Sequence, residues 1–207
     1  MTPQKEYTVT TTNMLRTKAD VTQTGSTVPS FQLDFSFVAG DIFKPKTHSV
    51  VLRPSSGRSD PTVIGTADIV YRSISTPIHL CFGDPDSQPE NAVWEDLHVR
   101  DKLKTSGFEL NIDLGKDLGR KIFDWKRTHH VEGVGAVKNK IDYFHLKMIE
   151  RESQKVVARF VHCPKMGSKR GVFEMEEFEG GEGWDGIVLL SGMAVVEYLR
   201  KVSCWAF

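Results

Sequence analysis

Gly186-Ile187-Val188-Leu189-Leu190-Ser191-Gly192-Met193-Ala194-Val195-Val196 is apolar on every side, with Ser191 its only side-chain hydroxyl and no charge. Asp185 stands before the run and suits a helix N-terminus, where a carboxylate accepts from unpaired N–H groups and meets the positive end of the helix dipole. Glu197, Tyr198, Leu199, Arg200 and Lys201 close it with polar residues. A membrane-spanning helix needs about 20 apolar residues, so this one is too short. A helix that is apolar all round and does not span must be buried all round. Something has to wrap it, and the rest of the chain reads as strands. The expectation is a β-barrel closed around a C-terminal helix from Trp184 to Lys201.

The chain has 207 residues, a length that all-β barrels reach as one domain, and a single domain over residues 1–207 is expected. Lys and Arg number 27, as do Asp and Glu, so the formal net charge is zero. That balance argues against a strongly basic nucleic-acid binder, and no nucleic-acid partner is expected, although a local basic patch is compatible with it. Cys81, Cys163 and Cys204 are scattered and odd in number, which suits a reducing compartment rather than a disulfide scaffold. Met1 to Asn13 is polar and Thr-rich, without the apolar core of a signal peptide. A cytoplasmic location follows as an expectation, with peripheral membrane contact left open.

Outward from the helix, the strands are marked by alternation. Phe31, Leu33, Phe35 and Phe37 point one way, with Gln32, Asp34 and Ser36 opposite; Phe108, Leu110, Ile112 and Leu114 repeat the pattern against Glu109, Asn111 and Asp113. Lys5–Thr12, His48–Arg53, Thr62–Ile74, Ile122–Thr128, Tyr143–Glu150, Lys155–His162 and Gly171–Phe178 add further strand-like runs, with Gly65 read as a bend or bulge. Arg16–Pro29 reads as a loop, and Cys81–Asn91 as the strongest loop signal in the chain. A two-domain division at that second loop is the alternative. Val93–Lys104 fits a short helix or a strand. Glu179-Gly180-Gly181-Glu182-Gly183 frees the chain to swing into the final helix.

Four of these stretches, in order, carry a family resemblance. They are Phe123–Thr128, the hairpin Phe144–Phe160, Lys169–Met175 and Asp185–Lys201. The chain resembles the fungal branch of the tubby C-terminal-like superfamily, which also contains plant LURP-one-related proteins and phospholipid scramblases. The resemblance implies a mainly β fold: a closed antiparallel barrel of about twelve strands around a buried hydrophobic C-terminal helix. It also implies phosphoinositide recognition, since tubby domains bind those head groups at a basic surface.

The residues themselves offer a basic surface as the first candidate site. Arg120, Lys121, Lys126, Arg127, Lys138 and Lys140 fall on one strand and its connector, beside His129 and His130, and Lys169 and Arg170 crowd a later turn with Lys165. Converging cationic donors suit a phosphorylated inositol or an anionic membrane surface. The competing reading is a solvated rim balanced by neighbouring carboxylates. His129-His130 lacks a third ligand at zinc spacing, and Asp84, Asp86 and Glu90 lack the calcium-loop pattern, so no metal and no cofactor is expected. His162 and Cys163 are neighbours that a strand would point to opposite faces, which does not make an activated thiol. No nucleophile elbow, phosphate loop or dinucleotide fingerprint is present.

The leading functional expectation is a non-enzymatic binding or adaptor protein that recognises phosphoinositide-containing membranes or a protein partner. The alternative is a cofactor-independent enzyme, or a small-molecule binder, with a cleft at the barrel rim. His129, His130, Asp124 and Glu132 are then the acid–base candidates. A helix filling the lumen leaves no interior cavity, so either site belongs on the rim or the outer wall.

Overall fold

Alternation of inward apolar and outward polar residues builds nearly the whole molecule. The computed structural model describes residues 5–36, 48–55, 62–70, 76–100, 107–128, 145–163, 167–181 and 183–205. Within them lie the strands β1 (Lys5–Thr11), β2 (Lys18–Gln23), β3 (Phe31–Phe35), β4 (Val50–Pro54), β5 (Gly65–Asp68) and β6 (Ile78–Phe82). They are followed by β7 (Val93–Val99), β8 (Gly107–Asp113), β9 (Arg120–Arg127), β10 (Leu146–Glu150), β11 (Val156–His162), β12 (Lys169–Met175) and the helix α1 (Trp184–Trp205). Each strand pairs antiparallel with its sequence neighbour, and β1 pairs with β12, so the twelve-stranded sheet closes into a barrel. Closure leaves no unpaired sheet edge.

The lumen is a packed core with α1 at its centre. Val188, Leu189, Leu190, Met193, Ala194, Val195 and Leu199 are fully buried, against Val9, Val21, Leu33, Leu52, Leu80, Leu110, Phe123, Trp125, Leu146, Phe160 and Phe173 from the wall. Ser191 answers a need of that wall: its hydroxyl accepts from the Trp125 indole N–H at 3.1 Å and donates to the Ile187 carbonyl at 2.7 Å. Gly192 lets the helix come close, since a Cβ there would sit 2.6 Å from the Phe173 ring and 3.1 Å from that of Trp125. The outer wall is charged, with Asp34, Arg53, Asp96 and Glu109 on it. A barrel that crosses a bilayer turns apolar side chains outward instead. Among the described residues no helix is long and apolar enough to cross a membrane.

Several expectations are corrected. Arg16–Pro29 is not one loop, because Lys18–Gln23 forms β2, with Ala19 and Val21 inward. Cys81 and Phe82 belong to β6 rather than to the loop that follows. Val93–Val99 is a strand, and β6 and β7, on either side of the 83–92 connection, pair directly. Gly65 marks a close approach rather than a bend: an added Cβ would lie 2.6 Å from the Cys81 carbonyl oxygen and 2.8 Å from Leu190. The helix continues past Lys201 to Trp205, and Glu197 and Tyr198 do not end its burial but share it.

Candidate functional site

Because the strands alternate in direction, the barrel has two distinct mouths. The near mouth is where α1 begins: Lys5 Nζ pairs with Asp185 at 3.0 Å and the Tyr7 hydroxyl donates to it at 2.8 Å. Glu176, Glu177 and Glu179 follow β12 there and, with Asp185, line a cleft of about 750 Å³ that also holds Phe31, Phe178 and Trp184. The far mouth is where β1, β9 and β11 finish and β2, β10 and β12 start. Among the described residues, the charged side chains lining the near-mouth cleft are mainly carboxylates.

At the far mouth a cavity of about 80 Å³ opens between β1, the β11–β12 turn and α1. Five basic side chains line it, Arg16, His162, Lys169, Arg170 and Arg200, together with the hydroxyl residues Thr11 and Ser168. By liquid volume this is space for two or three waters or one small oxyanion. The turn that carries Ser168 is fastened to β1, whose Thr11 N–H and Oγ1 both donate to the Ser168 carbonyl at 2.8 Å.

One acidic group organises the floor. Glu197, buried on α1, accepts from Arg170 through Oε1 and from Arg200 Nη2 at 2.8 Å through Oε2. Arg170 is further held with its guanidinium carbon 4.4 Å from the centre of the Phe35 ring, a cation–π contact. Its Nη1 is buried and has no acceptor among the described residues. One carboxylate thus serves two guanidiniums, and the cavity keeps a surplus of positive charge. Burial lowers the pKa of the neighbouring Lys201 to about 8, against the opposing pull of Glu197 and with a smaller push from Arg200. A cavity with donors held rigidly and an orphan guanidinium N–H is suited to an anion.

The basic residues singled out in the sequence divide between the two mouths. Lys169 and Arg170 line the cavity, and Lys126 and Arg127, at the end of β9, stand on the same mouth. Arg120 and Lys121 start β9 and lie at the other end of the barrel, about 20 Å away at strand rise. There Arg120 is paired to Glu95 at 2.7 Å, and Lys121 is shared by Glu150 at 3.1 Å and Glu152 at 2.9 Å. Lys138, Lys140, Lys165, His129, His130 and Glu132 lie outside the described residues.

Asp124, the remaining acid–base candidate, sits on the outer wall with its side chain only 5% exposed. Arg151 grips it at 2.7 Å and also holds Glu109 at 2.6 Å, while Arg100 reaches Glu109 at 2.7 Å. The Arg151 guanidinium holds the Glu109 carboxyl below its usual range. These are closed ion pairs rather than a general base facing a cleft. The thiols are equally quiet: Cys81 and Cys163 are buried, and burial pushes the Cys81 pKa up to about 11, with Asp68 and Asp84 adding to it. In the acidic loop, Asp84 accepts from the backbone N–H groups of Asp86 and Ser87 at 3.0 and 2.9 Å, an Asx turn.

Arg16, His162 and Arg200 were missed as site residues. Arg16 fell within the presumed loop, and Arg200 read as the polar end of the helix. Arg16 meets Arg170 because β1 closes on β12, a pairing with no local signal, whereas His162 comes from the β11–β12 pair and Arg200 reaches the site from α1 through Glu197. Compared with known proteins, the chain matches no family model, no curated protein and no solved structure.

Proposed function

We propose that this is a non-enzymatic binding protein that takes a phosphorylated head group, of the phosphoinositide kind, into the far-mouth cavity and so recognises membranes that display it. One observation carries the reading: Arg16, Lys169, Arg170 and Arg200 converge on a single cavity with no carboxylate among its described lining residues, and the Glu197 beneath it is already divided between two of them. The resemblance to tubby-like proteins supports the same class of ligand and the same division of labour, with a solid barrel as scaffold and the ligand outside it. The cavity admits a phosphate rather than a whole inositol. The ring is then left on the shallower depression of about 420 Å³ beside it, which shares Thr11, Arg16 and Ser168.

Calorimetric titration with a soluble inositol trisphosphate tests this without any membrane. The native chain binds, and the pair Arg16→Glu with Lys169→Glu weakens binding at least about tenfold, since each charge-assisted hydrogen bond lost contributes about 1.5–3 kcal/mol. Both side chains are at the surface, so folding tolerates the change. Affinity that survives the pair but falls with Lys126→Glu and Arg127→Glu moves the site to the end of β9. Affinity that survives both, or no binding by the native chain, removes the proposal.

A further inference from the structure

The hairpin that joins β1 to β2 ends in Met14 and Leu15, whose exposures are 100% and 75%. No other pair of consecutive large apolar side chains among the described residues is so far out of the fold; Val93 and Trp94, the nearest rival, are half in. Two adjacent apolar side chains projecting from a polar rim are available for contact with an apolar surface.

The tip is also built to stay where it is. Asn13 Oδ1 accepts from the N–H of Thr17 at 2.9 Å and of Lys18 at 3.2 Å, and its Nδ2 donates to Thr17 Oγ1 at 2.7 Å. The Arg16 N–H donates to the Asn13 carbonyl at 3.1 Å, which tightens the turn. The next residue after Leu15 is the cavity residue Arg16, and Met14 itself lines the depression that adjoins the cavity. An apolar tip and a cationic cavity therefore stand side by side on one mouth, with Lys18 at the base of the same hairpin. The acidic residues Glu176, Glu177, Glu179 and Asp185 are at the opposite mouth.

From this arrangement we infer that the β1–β2 hairpin is a membrane prong: Met14 and Leu15 enter the acyl boundary of an anionic bilayer while Arg16, Lys169 and Arg170 hold a lipid phosphate at the head-group level. The inference rests on the head-group reading above and deepens it by fixing the source of the phosphate as a lipid and the orientation of the barrel, far mouth toward the bilayer. The charge pattern matches, since an anionic leaflet attracts the cationic cavity and repels the acidic cleft. An apolar contact beside an electrostatic one supplies the two signals that stable peripheral attachment requires.

Co-sedimentation with phosphatidylcholine vesicles, with and without phosphatidylinositol bisphosphate, is the test, run beside titration with the soluble inositol trisphosphate. The native chain partitions onto the phosphoinositide vesicles. Leu15→Ser, at a residue that lines neither the cavity nor the depression, loses about tenfold in partition while keeping full affinity for the soluble head group, because only the apolar transfer is removed. Met14→Trp, which suits the interface, partitions at least as well as the native chain. Unchanged partition of the Leu15→Ser variant overturns the inference. So does a native chain that binds the soluble head group yet stays off the vesicles, which makes the ligand a free phosphorylated solute. Absence of soluble binding in the native chain, with vesicle partition still sensitive to Leu15, fails the cavity reading and leaves the prong standing.

Discussion

Arg16 takes a backbone conformation that arginine does not favour. Its φ is 54°, in the left-handed region where a Cβ meets the following carbonyl and where glycine is the usual residue. The Asn13 side chain holds the turn in that shape, so the guanidinium is delivered to the cavity mouth at some loss of stability. Strain of this kind gathers where the fold over-determines a position. Arg16→Gly is expected to raise the unfolding free energy in a denaturant titration by a few tenths to about 1 kcal/mol, because the gain in native conformation exceeds the added freedom of the unfolded chain. The same variant weakens binding of soluble inositol trisphosphate. A variant that is stabilised and binds as before would show that Arg16 is strained for some other purpose.

At the scale of the element, α1 is decided by what it touches. Gly192 is unfavourable inside a helix in isolation, by about 1 kcal/mol against alanine. Here alanine would drive its methyl into Phe173 and crowd Trp125. Overpacking of a full core costs about 1–3 kcal/mol. Gly192→Ala is therefore expected to lower stability by about 1 kcal/mol, read as an earlier denaturant midpoint with an unchanged slope, despite the better helix former. An alanine variant as stable as the native chain would mean that the rings of Phe173 and Trp125 have room to move. The element also shows where a sequence reading stops. Its apolar run marked it as buried, but β2 was hidden because its inward residues, Ala19 and Val21, are only two and small. In the same way β6 was hidden by the Gly and Pro signals that follow directly after it.

The molecule as a whole is a barrel cored by its own last segment. Every strand from β1 to β12 faces side chains of α1 or of the layer around it, so the wall has no apolar partner without the helix. A chain ended at Gly183 is expected to lose the near-ultraviolet circular dichroism of its packed aromatics and to bind an apolar dye, the behaviour of a collapsed but unpacked state. A truncated chain that kept its native near-ultraviolet spectrum would show that the wall holds together by its own pairing. Two lined sites also differ in sign. Equal numbers of acidic and basic residues leave no net charge, yet among the described residues Arg16, Lys169, Arg170 and Arg200 line a cavity at one mouth and Glu176, Glu177, Glu179 and Asp185 a cleft at the other.

The amino-acid sequence by itself determined the principle of the fold. A short run that is apolar on all sides must be enclosed, and period-two stretches such as Phe31–Phe35 and Gly107–Asp113 supply the enclosure. These are local properties, set by the spacing of side chains along one strand or helix. The site was legible only in part, as the adjacent pair Lys169 and Arg170. Its other cations come from the first hairpin and the last helix: closure of β1 on β12 brings Arg16, and the seating of α1 in the lumen brings Arg200. Tertiary structure decided which basic residues share a cavity and which, like Arg120 and Lys121, stand at the opposite mouth. The physical reason is that charges act through space, and positions distant along the chain become neighbours only when the sheet has closed.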